Sequence, residues 1–105
     1  MTGYVEDLLH IIRAYPGSGN ELRKELAIKF VRRHGGHTLA HFPEDLQDDK
    51  EVVLAAVKEN GFALRFASDR LKDDEDIVRA AVRRNRRALR FASERLQKLL
   101  REGLK

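Results

Sequence analysis

Residues 46–70 read LQDDKEVVLAAVKENGFALRFASDR, and residues 71–95 read LKDDEDIVRAAVRRNRRALRFASER. The two stretches are identical at 15 of their 25 aligned positions. Residues 21–45 follow the same spacing more loosely, so that Gly36 aligns with Gly61. A repeat of fixed period is typical of architectures in which each unit buries its apolar face against its neighbours. The sequence therefore predicts three stacked units of about 25 residues, called here the first, second and third units.

Each unit carries the periodicity of an amphipathic helix. Asp48 and Asp73 precede the apolar runs, where a carboxylate accepts from free backbone N–H groups, so they are the predicted N-caps. The run of the second unit ends at Asn60-Gly61, where glycine is predicted to adopt the left-handed cap conformation. Apolar side chains recur at positions i, i+1, i+4 and i+5, which is one face of a helix, as Val52, Val53, Ala56 and Val57 and as Ile77, Val78, Ala81 and Val82.

A shorter helix is predicted after each turn, over residues 62–67 and 87–92. Ala63 and Ala88 are expected to face the core, with Phe66 and Phe91 on the opposite side, and Ser68 and Ser93 close the two helices. Each unit is thus interpreted as a helical hairpin: a long helix, a tight turn and a helix of about two turns.

Flanking helices are predicted over residues 4–15 and 94–104. In the second of these, Leu96, Leu99 and Leu100 fall on one stripe. The stripe is interpreted as part of a capping helix that shields the last unit, in preference to a dimerisation face. The complete prediction is one all-α domain spanning residues 1–105, a short right-handed α-solenoid with N- and C-terminal capping helices.

Composition narrows the class of protein. The chain contains no cysteine, which excludes disulfides and thiolate metal sites. Its N-terminal residues lack the basic segment of a secretory signal, and no apolar run reaches the length of a membrane span. We therefore expect a cytoplasmic protein that does not cross a membrane.

The repeated pattern L-x-D-D-x-x-V-x-x-A-V-x-x-N-G-x-A-L-x-x-A-S resembles the repeats of the family described as "domain of unknown function 4116". Its Asp pair, Ala-Val pair and Asn-Gly stop fall at fixed offsets in residues 46–70, and the third unit departs from it at Arg86, where glycine is expected. The resemblance covers roughly residues 22–96. It implies a small α-helical repeat fold, and it implies no catalytic residues or settled activity.

Charge is distributed unevenly along the chain. Residues 1–42 carry a net charge of +2, residues 43–76 carry −6, and residues 77–105 carry +8. In the third unit, arginine occupies several positions that the pattern leaves unspecified, and it replaces the expected glycine at position 86. Such a cluster is suited to phosphates or carboxylates, which gives a predicted site for an anionic partner, formed by Arg79, Arg83, Arg84, Arg86, Arg87 and Arg90.

Three functions are compatible with this cluster. The first is a non-enzymatic protein-interaction module, an inhibitor or adaptor that recognises a partner by charge and shape complementarity. The second is nucleic-acid binding, to which Phe66 and Phe91 could contribute stacking, although packing between units is the favoured role of these rings. The third is self-association of the acidic middle with the basic end; a monomer is slightly favoured.

Metal binding and catalysis have weak support in the sequence. His34, His37 and His41 are spaced by three and four residues, but no acidic residue lies among them to orient a metal ligand. Gly17-Ser18-Gly19 lacks the lysine and remaining glycines of a phosphate-binding loop. We therefore expect no cofactor, no metal and no catalytic residues.

Overall fold

A computed structural model describes residues 21–103 of the chain. Every regular element in that range is helical, which confirms the all-α prediction. The predicted helix over residues 4–15 lies outside the described residues. In chain order the elements are α1 (Glu21–His34), the 3₁₀ helix η1 (Gly36–His41), α2 (Glu44–Gln47), α3 (Lys50–Glu59), η2 (Gly61–Phe66), α4 (Asp69–Lys72), α5 (Glu75–Arg84), η3 (Arg86–Phe91) and α6 (Glu94–Gly103).

Each unit contains more helical segments than the hairpin interpretation allowed. The segment after the turn is a 3₁₀ helix, and a separate short α-helix follows it. Ser68 therefore begins a helix rather than closing one, because its hydroxyl accepts from the N–H of Leu71 at 3.3 Å, at the start of α4. The preceding Ala67 is extended, which separates η2 from α4.

The N-caps of the long helices lie one residue later than predicted. The Asp49 carboxylate accepts from the N–H groups of Glu51 and Val52, at 3.0 and 3.2 Å, at the start of α3. Asp74 accepts from the N–H of Ile77 at 3.2 Å in the same way. Asp48 and Asp73 have another role, which is described below.

The prediction of a left-handed glycine cap at Gly61 is also wrong. Among the described glycines only Gly35 has a positive φ, of 104°. Asn60 is extended, with φ of −151°, and its side chain accepts from the N–H of Phe62 to begin η2. Gly61 instead allows a close approach between units, since a Cβ there would stand 2.5 Å from the carbonyl oxygen of Ala81.

The units pack side by side around one apolar core. Helix α1 contacts α3, α3 contacts α5, and the 3₁₀ helices contact one another in the same order. Val53, Leu64 and Val78 are fully buried at the centre of this cluster. Full burial of a side chain of this size contributes about 1.5–3 kcal/mol, so the core dominates the stability of the domain.

Helix α6 is longer than α2 and α4, because it continues beyond the repeat position at which those two helices end. Lys98 and Leu99 occupy the positions held by Asp73 and Asp74 one unit earlier, so the residue that would begin a new helix is missing. Leu96 and Leu100 are buried as predicted, but Leu99 is 45% exposed and does not belong to the buried stripe.

Candidate interaction surface

A hydrogen-bonded clamp joins the beginning of the second unit to its end, and an equivalent clamp does so in the third unit. The Asp48 carboxylate accepts from the Ser68 hydroxyl at 2.5 Å and from Arg70 Nε at 2.9 Å. The hydrogen bond from Ser68, together with Arg70, lowers the pKa of Asp48 below its ordinary value of 3.8. Asp73 makes the same contacts with Ser93 and Arg95, at 2.6 and 3.0 Å, and its pKa is lowered for the same reasons.

Lysines form ion pairs that link consecutive units. Lys24 Nζ lies 3.6 Å from Asp49 and 3.1 Å from Glu51, in the following unit. Lys50 Nζ lies 3.2 Å from Asp74 and 3.1 Å from Asp76, and these contacts raise its pKa. Many of the acids that give the middle of the chain its negative charge are therefore engaged in joining the units.

The predicted arginine cluster divides into two groups. Arg79 forms an ion pair with Glu75 at 2.8 Å, and Arg84 Nε donates to the carbonyl oxygen of Glu59 at 3.3 Å. The remaining four arginines are exposed, and none forms an ion pair with an acid of residues 21–103. These four side chains are called here the basic surface: Arg83, Arg86, Arg87 and Arg90.

The elements of the third unit set the layout of the basic surface. Arg87 and Arg90 share one side of η3, because a 3₁₀ helix repeats every three residues. Arg83 lies on α5, where it lines a cleft of about 120 Å³ together with Arg79, Val82 and Leu100. The surface thus combines guanidinium groups with a small apolar floor.

Aromatic rings connect the second unit to the third. Phe62 and Phe91 pack edge to face, with ring centroids 5.9 Å apart. The guanidinium carbon of Arg65 lies 5.2 Å from the Phe66 centroid and 5.7 Å from that of Phe91, and Arg90 lies 5.5 Å from Phe91. Packing between units, the role favoured from the sequence, is what the structure shows for Phe91.

Two details of this aromatic contact differ from the sequence interpretation. Phe66 lies on the same side of η2 as Ala63, three residues earlier, and is half-buried against the core. Arg65 was not among the predicted site residues, because that prediction was based on the excess of arginine in the third unit and Arg65 lies in the second. Arg65 aligns with Arg90, an exposed arginine of η3 one unit later, and this alignment is the feature of the sequence that could have identified it.

An acidic cleft of about 660 Å³ lies on the first and second units. The carboxylates of Glu44, Asp45 and Asp69 line it, with Arg70 as its only cation among the lining residues. The division of charge along the sequence therefore persists in three dimensions: an acidic cleft on one part of the molecule, the basic surface on another.

The histidines do not form a metal centre in the described part of the chain. The His34 ring packs on Phe30, with centroids 4.6 Å apart. No group of three His, Cys, Asp or Glu side chains within residues 21–103 is placed to hold a metal ion. No helix in this range is long and apolar enough to cross a membrane.

These features define a small all-α protein with a cationic surface whose arginines form no ion pair within residues 21–103. The chain belongs to the family described as domain of unknown function 4116, whose model matches residues 23–69 and, in an overlapping second match, residues 49–97. The resemblance seen in the repeated pattern is confirmed. No curated protein and no solved structure matches the chain.

Proposed function

We propose that this protein is a non-catalytic interaction module that binds an acidic segment of a partner protein on its basic surface. One observation carries the proposal: the four arginines of that surface form no ion pair within the described residues, while nearby acids are paired with other cations. Uncompensated like charge destabilises a folded chain by self-repulsion, so a counter-charged partner gives the cluster a function.

The architecture supports a rigid binding surface. We propose that the three units stack as a short right-handed solenoid, in keeping with the recurring order of elements and with lysine ion pairs across both junctions between units. A rigid surface loses little conformational entropy on binding, which favours affinity.

The chemistry of the surface favours carboxylates presented by a protein. The planar guanidinium fork binds a carboxylate through two hydrogen bonds. Val82 and Leu100, at the cleft beside Arg83, offer an apolar anchor next to the charges. Protein interfaces combine such anchors with a polar rim, whereas binding to a nucleic-acid backbone depends mainly on phosphate contacts.

Nucleic-acid binding is the second candidate, supported by the net charge of +8 in residues 77–105. Two features weaken it. The acidic cleft would repel a phosphate backbone that extended along the molecule. Arg65 and Arg90 already lie over the Phe66 and Phe91 rings, so those faces are not free for base stacking.

Self-association is the third candidate, because the acidic cleft and the basic surface have opposite charges. A contact between two different surfaces of the same chain produces rings or filaments rather than a closed dimer. Light scattering at low and high salt tests this, since such assemblies would lose mass as salt screens the contact. We expect the apparent mass of a monomer at both salt concentrations.

Fluorescence anisotropy with a panel of labelled probes tests the main proposal. The probes are a peptide of alternating Glu and Thr, its Gln and Thr counterpart, single-stranded RNA, single-stranded DNA and duplex DNA, each titrated across a salt series. Binding of the acidic peptide over the neutral one supports the proposal. Preferential binding of an oligonucleotide supports the second candidate instead.

A pair of charge-reversed variants locates the site. The first carries Arg86→Glu and Arg87→Glu; its matched control carries Lys29→Glu and Lys58→Glu, at exposed positions on α1 and α3. Both change the net charge equally, so a general electrostatic effect would weaken binding equally. We expect loss of binding in the first variant only.

A further inference from the structure

Arg65 and Arg90 occupy equivalent positions in neighbouring units, and both are placed over one aromatic ring. Their guanidinium carbons lie 5.7 and 5.5 Å from the centroid of Phe91. Both side chains are exposed, and neither forms an ion pair within residues 21–103. The first unit has Ala40 at this position, so the arrangement is specific to the junction of the second and third units.

The aromatic contacts restrict how these side chains move. A guanidinium over a ring is attracted by the ring quadrupole, and at exposed sites the attraction is modest but favourable. Phe91 is itself held by its edge-to-face contact with Phe62. Two arginines are therefore partly ordered before any ligand arrives, which reduces the entropy lost on binding.

The placement of the two groups indicates the shape of their ligand. Because both lie over the same ring, they are close enough to contact two carboxylates of one peptide. In an extended segment, side chains two residues apart lie on the same side at a spacing of roughly 7 Å. Arg87, on the same side of η3 as Arg90, continues the row of cations along the basic surface.

We infer that Arg65 and Arg90, ordered by Phe91, bind two alternate carboxylates of an extended acidic segment in the partner protein. This inference rests on the proposed function and places its recognition site on η2 and η3 rather than at the cleft beside α6. The guanidinium groups bind the carboxylates, and the phenylalanine acts as a positioning residue.

The test uses the full chain and the labelled peptide of alternating Glu and Thr. Arg65→Gln and Arg90→Gln are each expected to raise the Kd about tenfold, as for loss of a hydrogen bond to a charged group. Arg79→Gln is the matched control, because Arg79 lies on α5 rather than on η2 or η3, and forms an ion pair with Glu75 of the same helix. A second peptide, in which the Glu residues are consecutive, is expected to bind more weakly than the alternating one.

Two further variants separate positioning from folding. Arg65→Lys keeps the charge but loses the planar fork, and should bind more weakly than the native chain and more tightly than Arg65→Gln. Phe91→Leu keeps both arginines but removes the ring, and it should raise the Kd for the alternating peptide. The control variant Arg79→Gln should bind that peptide as tightly as the native chain. Far-UV circular dichroism of each variant identifies any that are unfolded. If Arg65→Gln is unfolded, Arg65→Lys tests the role of Arg65 in its place.

The outcomes distinguish failure of this inference from failure of the proposed function on which it rests. If Arg65→Gln and Arg90→Gln bind as tightly as the native chain while the Arg86→Glu, Arg87→Glu variant does not bind, the inference fails and the proposed function stands. If the native chain shows no preference for the acidic peptide over the neutral one, both fail. If duplex DNA or RNA binds in place of the peptide, both are replaced by the second candidate.

Discussion

Gly61 lies against the carbonyl oxygen of Ala81, so closely that a Cβ at position 61 would stand 2.5 Å from that oxygen. The contact joins η2 of one unit to α5 of the next. Gly36 makes the equivalent approach to Ala56 one unit earlier. Arg86 occupies this position in the third unit, where the structure places the side chain at an exposed site. The glycine of the pattern is thus required by packing between units, not by backbone conformation.

Gly61→Ala is therefore expected to destabilise the protein, by about 1–3 kcal/mol, as overpacking of a tight contact does. Urea unfolding, followed by circular dichroism, measures the difference. Arg86→Ala is the matched control at the equivalent position, and we expect it to lie within about 0.5 kcal/mol of the native chain. Equal stability of Gly61→Ala and the native chain would show that the two units are not in close contact.

Asp49→Ala is expected to lower the free energy of unfolding by about 1 kcal/mol, because it removes the acceptor for two backbone N–H groups of α3. Asp49→Asn, which retains a capping oxygen, should recover most of that loss. The same urea titration reports both. If Asp49→Ala had no effect, the cap would not lie at Asp49, contrary to the structure.

Ser68→Ala is expected to raise the pKa of Asp48, since the Ser68 hydroxyl is the largest cause of its lowered value. A group whose folded pKa is depressed contributes stability above its unfolded pKa and loses it as pH falls through the folded pKa. The contribution of this clamp is therefore present above about pH 4 and decreases in more acid solution. Carbon-detected NMR titration of the Asp48 carboxyl measures the shift, with Asp73 as an internal control that should not move.

The basic surface is expected to reduce stability rather than support it. Replacing Arg86 and Arg87 with Gln removes like charges that repel each other and have no acid partner in the described structure, so thermal unfolding should occur at the same or a higher temperature. Binding of the acidic peptide should fall in the same variant. A clear loss of thermal stability would assign these arginines to the fold instead of to a ligand.

Much of the helical architecture was predictable because apolar periodicity directly reflects which side chains are buried. Val53 and Val78, chosen from the sequence as core residues, are fully buried. The N-caps were harder to predict from the sequence. Asp48 and Asp49 are adjacent and chemically identical, and only their contacts in the structure distinguish the clamp residue from the N-cap. Propensity does not resolve a shift of one residue.

The interaction surface was predictable only in part. The excess of arginine in the third unit is visible in the sequence, but the pairing of Arg79 with Glu75 depends on helix geometry. Arg65 was missed because the prediction was based on the excess of arginine in the third unit, and Arg65 lies in the second. Its position over Phe91 depends on how neighbouring units stack, which a one-dimensional pattern does not contain.

The central claim is that an acidic peptide binds the surface formed by η2 and η3, and NMR titration of the isotopically labelled chain tests it most directly. On addition of the peptide of alternating Glu and Thr, we expect the largest shifts at the guanidinium signals of Arg65, Arg87 and Arg90 and at backbone amides of η2 and η3. Signals around the acidic cleft, such as those of Glu44, should not move. Shifts centred on that cleft, or none at all, would contradict the account.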